Sequence, residues 1–167
     1  MSVRPATLSD LPVLLEFEQG IIRAERPYDP LLKPDPISYY DIGEMIRADD
    51  AEVMVVEIDG ELVASGYVKT KASRHYTSPD WHAFLGFMFV REDQRGRGLN
   101  KVLLDALTDW ARKRGLTEVR LTVYPGNEPA IRAYEKAGFT PYLTEMRLGL
   151  DRLSLPPTAS VLAFMVN

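Results

Sequence analysis

The stretch that decides the fold is "VREDQRGRGLNKVLLDALTDW", Val90 to Trp110. Its second half is helical by period: Leu99, Val102, Leu103, Ala106, Leu107, Trp110 and Ala111 recur at the spacings of one helix face. Arg112-Lys113-Arg114 and then Gly115 form a C-terminal stop, with cations in the last turn. Its first half sets Gly96 and Gly98 among Arg95 and Arg97, directly at the helix entrance. A helix N-terminus exposes unpaired N–H groups and carries partial positive charge, so it favours an anion. Glycines let a phosphate approach the backbone and let successive amides form a nest. From Arg91 to Arg114 there are seven basic and four acidic residues, a local +3 in a chain of net charge -4.

Two phosphate-binding patterns are excluded. The dinucleotide pattern needs a third glycine where this chain has Lys101, and no Gly-Lys-Ser/Thr is present for a nucleoside triphosphate loop. Immediately upstream, "WHAFLGFMFV" (Trp81–Val90) is apolar on both alternating faces, the mark of a strand covered on both sides. A central strand, a glycine turn and an amphipathic helix therefore follow one another.

The 167 residues suit one domain with a sizeable core, and the 46% hydrophobic and 26% charged content is ordinary for a globular chain. The acidic balance argues against nucleic acid as a partner. No cysteine is present, which excludes disulfides, a thiol nucleophile and thiolate metal ligands; two histidines are too few for a histidine-rich metal site. No signal-peptide core and no membrane-spanning apolar run is found, so a cytoplasmic protein is expected.

Outward from the centre, Ser2–Thr7 reads as a strand, followed by a helix capped by Ser9 or Asp10 and running to about Ala24. "RPYDPLLKPDP" is a proline-stiffened loop, and Ser38 is expected to cap a second helix to about Ala48. Glu52–Ile58 and Glu61–Lys71 read as a hairpin about Asp59-Gly60. "TEVRLTVY" is a strand, "NEPAIRAYEKAG" a helix, and "FTPYL" and "EMRLGL" two closing strands. The order β-α-α-β-β-β-α-β-α-β-β describes an α/β (α+β) fold: a mixed, mostly antiparallel sheet with helices on both faces. The apolar tail "LSLPPTASVLAFMVN" suits an edge strand or a homodimer contact.

The run "FVREDQRGRGLNKVLLDAL" resembles the acyl-CoA pyrophosphate loop of the GNAT acetyltransferase superfamily, Arg/Gln-x-x-Gly-x-Gly/Ala, which falls here on Arg95, Gly98 and Asn100. Asn100 departs from the small residue of that pattern. "NEPAIRAYEKAGF" resembles the family's second signature, in the right order and at the right distance. The resemblance covers residues 1–150 as a GNAT-like domain and leaves 151–167 as a tail. It implies acetyl-CoA as cosubstrate, an amine acceptor and direct attack in a ternary complex. Cofactor contacts would come from the backbone of Met88, Phe89 and Val90, from Gly96, Arg97, Gly98, Leu99, Asn100 and Lys101 with Arg95 beside them, and from Asn127. Tyr134 would be the general acid: a phenol with a pKa of about 10 stays protonated at neutral pH and can donate as a thiolate forms. The positions where relatives carry a basic carboxylate are Gly86 and Thr122 here, which cannot act, and His82, which by strand alternation shares the Gly86 face, is the candidate base. Arg23, Arg26 and Tyr28 in the proline-rich connection are candidates for binding a small polar acceptor. Two other readings stay open on sequence: an acyl-CoA-binding sensor without turnover, and an acetyltransferase acting on a protein N-terminus or lysine.

Overall fold

The structure, a computed structural model, describes residues 1–150, so the expected tail strand or dimer contact at 151–167 lies outside the described residues. The chain divides into two units, one formed by Met1–Ala24 with Ser38–Val123, the other by Glu25–Ile37 with the chain from Tyr124 onward.

The first unit is built on one five-stranded sheet. Its strands β1 (Ser2–Pro5), β2 (Ala51–Ile58), β3 (Glu61–Ala72), β4 (Trp81–Val90) and β5 (Val119–Arg120) lie side by side in chain order. The first three pairings are antiparallel and β4 with β5 is parallel, so the sheet is mixed and mostly antiparallel as expected. Asp59 and Gly60, both at positive φ, make the tight turn between β2 and β3.

Helices cover both faces. On one face α1 (Leu11–Glu25) and α2 (Ile42–Arg47) bury Leu14, Phe17, Ile21 and Ile42 against Val53, Val55, Tyr67 and Phe87. On the other, α3 (Leu99–Lys113) buries Leu99 and Leu103 against Val56, Val63 and Ala64. Gly20 on α1 is required by packing: a Cβ there would lie 2.7 Å from the Phe89 ring.

Alternation along β4 breaks at one place. Tyr67 pairs with Gly86 and Ser65 with Phe89, so Gly66 alone faces both Phe87 and Met88. This is a β-bulge with Phe87 in the left-handed region at φ 56°. After it the side-chain parity shifts, and Met88 and Val90 join the α3 face while Phe89 stays on the α1 face.

Three expectations need correction. The second helix does not start at Ser38. The buried Glu18 carboxylate accepts hydrogen bonds from the Tyr39 and Tyr40 amides (2.7 and 2.8 Å) and from the Ser38 hydroxyl (3.1 Å), which holds that segment extended. The helix begins only at Ile42, capped by Asp41, whose carboxylate accepts from the Glu44 amide at 3.0 Å. The strand at "TEVRLTVY" shrinks to Val119–Arg120, whose ladder with β4 contains only Ala83 with Val119 and Phe84 with Arg120. Residues 139–150 form no strand among the described residues. Met146, Leu148 and Leu150 alternate as a strand would, but they are exposed and no ladder partner meets them.

In the second unit the proline-rich connection folds onto α4 (Glu128–Lys136) and its flanks. Asp29 accepts from the Tyr124 hydroxyl (3.2 Å) and from the Arg147 guanidinium (3.0 Å), and Tyr28 stacks on Tyr124 with centroids 6.1 Å apart.

Candidate active site

The site in the first unit begins where β4 and β5 part. Their ladder contains only Ala83 with Val119 and Phe84 with Arg120. Beyond it the β5-facing edge of β4 has no neighbouring strand among the described residues. The Arg91 amide donates back to Val63 O at 2.9 Å. Strand alternation therefore aims the N–H and C=O groups of Met88 and Val90 at the open edge, while the Phe89 backbone lies in the ladder opposite Ser65. Of the three residues expected to bind through their backbone, two present it.

Past β4, a short 3-10 turn (Glu92–Gln94) leads into the glycines. Gly96 and Gly98 both have φ of 76°, a region other residues enter only with strain, and a Cβ on either would meet nothing within 4 Å. The glycines are there for backbone conformation, and the space beside them is open. Gly98 is the N-cap of α3. Among the described residues no side chain caps this helix, and no acidic residue stands in its first turn. The first-turn amides of Leu99, Asn100 and Lys101 have no intrahelical acceptor by helix geometry. The turn thus offers partial positive charge and convergent N–H donors to an anion.

Side chains around the turn add less than the backbone. Arg97 donates to Gln94, and Lys101 is paired with Asp105 at 2.6 Å. Arg95 is exposed and makes no ion pair among the described residues.

His82 lies at the other end of β4, six residues before Met88, which at about 3.3 Å per residue is roughly 20 Å along the strand. Its Nδ1 is 2.9 Å from the Ser73 hydroxyl, and the side chain is buried. Burial lowers its pKa below the ordinary 6.5, and the Arg120 charge adds to this, so the ring is neutral at pH 7. The structure does not bring His82 together with the Met88 and Val90 backbone.

On the α1 face next to the bulge stands a group that sequence reading missed. Gly86 faces Tyr67 directly across the ladder, and a Cβ on Gly86 would come within 2.5 Å of the Tyr67 ring and hydroxyl. The phenol occupies the place of the missing side chain. Only the strand pairing discloses this, because the two residues are far apart in the chain.

The second unit holds the remaining candidates. Asn127 caps α4, its Oδ1 accepting from the Ala130 amide at 3.4 Å, which leaves the side-chain NH2 available as a donor. Tyr134 is half-buried and meets Phe139 edge-on at 5.8 Å. Burial first, then the Glu25 charge, push its phenol up to about 12. Arg26 is engaged by its own loop, donating to Lys33 O (3.0 Å) and to Asp35 (2.5 Å). Burial pushes the Asp29 carboxyl up, but Arg147, the Leu31 amide and Tyr124 together hold it below the usual range. Asp29, Tyr124 and Arg147 gather around Tyr28, and the sequence alone did not point to Tyr124 or Arg147. Arg23 belongs to the first unit, exposed in the last turn of α1.

Among the described residues no group of three His, Asp or Glu side chains is placed to hold a metal ion, and no helix is long and apolar enough to cross a membrane.

A family model described as the acetyltransferase (GNAT) family matches residues 19–139. The L-methionine sulfoximine/L-methionine sulfone acetyltransferase of Pseudomonas aeruginosa is 39% identical over 67 residues, covering 36% of this chain and 39% of that protein. The streptothricin acetyltransferase of Streptomyces lavendulae is 33% identical over 114 residues, covering 68% of this chain and 53% of that protein. The chain thus spans about half or less of the length of these curated relatives. A solved structure of a predicted acetyltransferase from Clostridium acetobutylicum with acetyl-CoA has the same fold, with a TM-score of 0.67 and 17% identity over 89% of this chain and 96% of that one.

Proposed function

Because the chain belongs to the GNAT acetyltransferase family, we propose that it transfers the acetyl group of acetyl-CoA to the nitrogen of a small polar amine. The observation that carries this reading is the open edge of β4 running into an uncapped helix at two left-handed glycines. These groups match two parts of one ligand. The amides and carbonyls of Met88 and Val90 complement the amide groups of a pantetheine arm, and the turn from Gly96 to Lys101 complements a pyrophosphate. Asn127, assigned to the cofactor by the family's second signature, keeps its side-chain NH2 available as a donor. Acetyl-CoA when bound supplies the activated acyl group.

The acceptor loses its ammonium proton to water. Its nitrogen attacks the thioester carbon, forming the C–N bond as the C–S bond breaks, and the nitrogen releases its second proton to solvent as the amide forms. The β4 amides polarise the carbonyl oxygen. Tyr134 serves the departing sulfur. With its phenol at about 12 against about 8.5 for a thiol like that of cysteine, full proton transfer runs uphill by roughly 3.5 pKa units. Tyr134 therefore stabilises the thiolate as a hydrogen-bond donor, and the proton that finally neutralises the sulfur comes from solvent. His82, at the far end of β4, maintains the strand's start rather than the chemistry. In the proline-rich connection, Tyr28, together with Asp29, is assigned to the acceptor, with Arg26 bracing the loop and Arg23 at the end of α1 beside it in sequence.

The test combines calorimetry with acetyl-CoA and thiol release over a panel of amines: L-methionine sulfoximine, L-methionine sulfone, streptothricin, free amino acids, polyamines and a peptide with a free N-terminus. Amine-stimulated thiol release by a small acceptor is expected. Tight acetyl-CoA binding with no stimulation by any amine would establish the sensor reading instead, and stimulation by the peptide alone the protein-directed one. Tyr134→Phe should lower kcat by about 10-fold or more, the value of one charge-assisted hydrogen bond, with acetyl-CoA affinity retained. Equal losses in both would remove Tyr134 from its role.

A further inference from the structure

The polar atom on the α1 face beside the β4 bulge is the Tyr67 hydroxyl. The Tyr67 ring is buried at 5% exposure, held edge-on by Tyr40 with centroids 5.4 Å apart, and packed in one cluster with Phe84, Phe87 and Phe89. Lys69, two residues along the same strand face, has its ammonium 5.7 Å from the ring centroid. Among the described residues the hydroxyl itself has no hydrogen-bond partner, yet its oxygen is not one of the sealed, unsatisfied atoms of the interior. Buried polar groups are satisfied by protein, water or ligand. This one is therefore open to an external partner while its ring is fixed from several sides.

Its position explains what that partner would be. The ring lies across Gly86, where any larger side chain would displace it. Gly86 is two residues before Met88, roughly 7 Å along the strand. The bulge between them turns the Met88 and Val90 backbone to the open edge. A nitrogen hydrogen-bonded above Gly86 is thus close to the segment to which the acyl group was assigned.

We propose that the Tyr67 hydroxyl is the protein's contact to the attacking nitrogen, accepting a hydrogen bond from the acceptor amine over Gly86 and so directing the nitrogen's lone pair toward β4. This rests on the acetyltransfer reading above. The proton balance is unchanged: the ammonium proton goes to water before attack, and Tyr67 keeps its own proton throughout. Burial holds the phenol above its ordinary pKa of 10, in keeping with a group that binds without ionising.

Tyr67→Phe separates this role from packing, since the ring and its contacts remain. The full chain is used, with whichever amine of the panel gives turnover. The expected result is a fall of roughly 10- to 100-fold in kcat/KM for the amine, the worth of one hydrogen bond to a reacting polar group, with acetyl-CoA affinity by calorimetry within 2-fold and an unchanged Tm. A kcat/KM within 3-fold of the unaltered protein overturns the inference while leaving the acetyltransferase reading intact. A matching loss of acetyl-CoA affinity also overturns it, because the defect would then be in the strand. Failure of the unaltered protein to release thiol with any amine would remove the reading above and this inference with it.

Discussion

Gly98→Ala is the sharpest test of the turn, because the structure supplies its control. Gly98 and Gly115 sit at opposite ends of α3 with φ of 76° and 74°, and a Cβ on either meets nothing within 4 Å. Neither substitution creates a clash, so the stability cost of each is the strain of a left-handed alanine, about 1–2 kcal/mol. For a chain of this size that lowers Tm by roughly 2–8 °C. The two variants should therefore look alike in scanning calorimetry. They should differ in binding. At Gly98 the methyl enters the open space beside the first-turn amides, or the turn relaxes and re-aims them. Losing one charge-assisted hydrogen bond costs about 1.5–3 kcal/mol, which weakens acetyl-CoA binding roughly 10- to 100-fold. At Gly115 the affinity should stay within 2-fold. Titration of both variants with acetyl-CoA at fixed salt gives the comparison. Equal affinities for the two, whether both retained or both lost, would refute the assignment of the pyrophosphate to this turn.

Two further outcomes follow from buried groups of the first unit. Glu18→Ala leaves the Tyr39 and Tyr40 amides without their acceptor, at about 1–3 kcal/mol each, and should lower Tm by roughly 5–20 °C, whereas Glu44→Ala on an exposed face should change it little; similar small shifts for both would show that Glu18 does not hold the segment before α2. For His82, whose folded pKa is depressed by burial first and by Arg120 next, the neutral ring favours the folded state. Its contribution is fully present above the unfolded value of about 6.5 and is lost as pH falls through the folded value. His82→Asn should therefore flatten the decline of Tm between pH 7 and 5, and an unaltered slope would show that His82 does not couple to folding.

The sequence was most legible where one physical requirement dominates. The α3 stripe was plain because Leu99, Leu103, Leu107, Trp110 and Ala111 must all face the core, and all are buried. Gly96 and Gly98 were plain because positive φ leaves few other choices. What stayed hidden depends on partners that the local sequence does not name. Glu18 reads as a solvated residue of an amphipathic helix, but it is 1% exposed because a segment twenty residues away supplies its donors. Asp29 meets Tyr124 and Arg147 across 95 and 118 residues. The shortness of β5 was hidden for a related reason: "TEVRLTVY" has strand propensity throughout, and only the pairing with β4 shows that its ladder ends after Phe84 with Arg120. His82 was reached by strand parity alone, which says which face a residue occupies but not how far along the strand the chemistry lies.

Nothing in "WHAFLGFMFV" marks the bulge, and yet it does most to make the site. A phenylalanine at φ 56° costs of order 1–3 kcal/mol, and a sheet edge without a neighbour is ordinarily a liability. The strain persists because Phe87 is over-determined. Its ring is 1% exposed and meets Tyr40 at 5.5 Å, and its carbonyl, displaced from the regular ladder, accepts a hydrogen bond from the buried Ser65 hydroxyl at 3.3 Å. Burying a phenylalanine contributes about 1.5–3 kcal/mol, comparable to the strain it offsets. The bulge thus produces the parity shift that turns the Met88 and Val90 backbone to the edge of β4 that has no pairing strand among the described residues. An unbulged register would place Met88 opposite Ser65 and turn its backbone into the β3 ladder, and the edge proposed to receive a pantetheine arm would lack those groups.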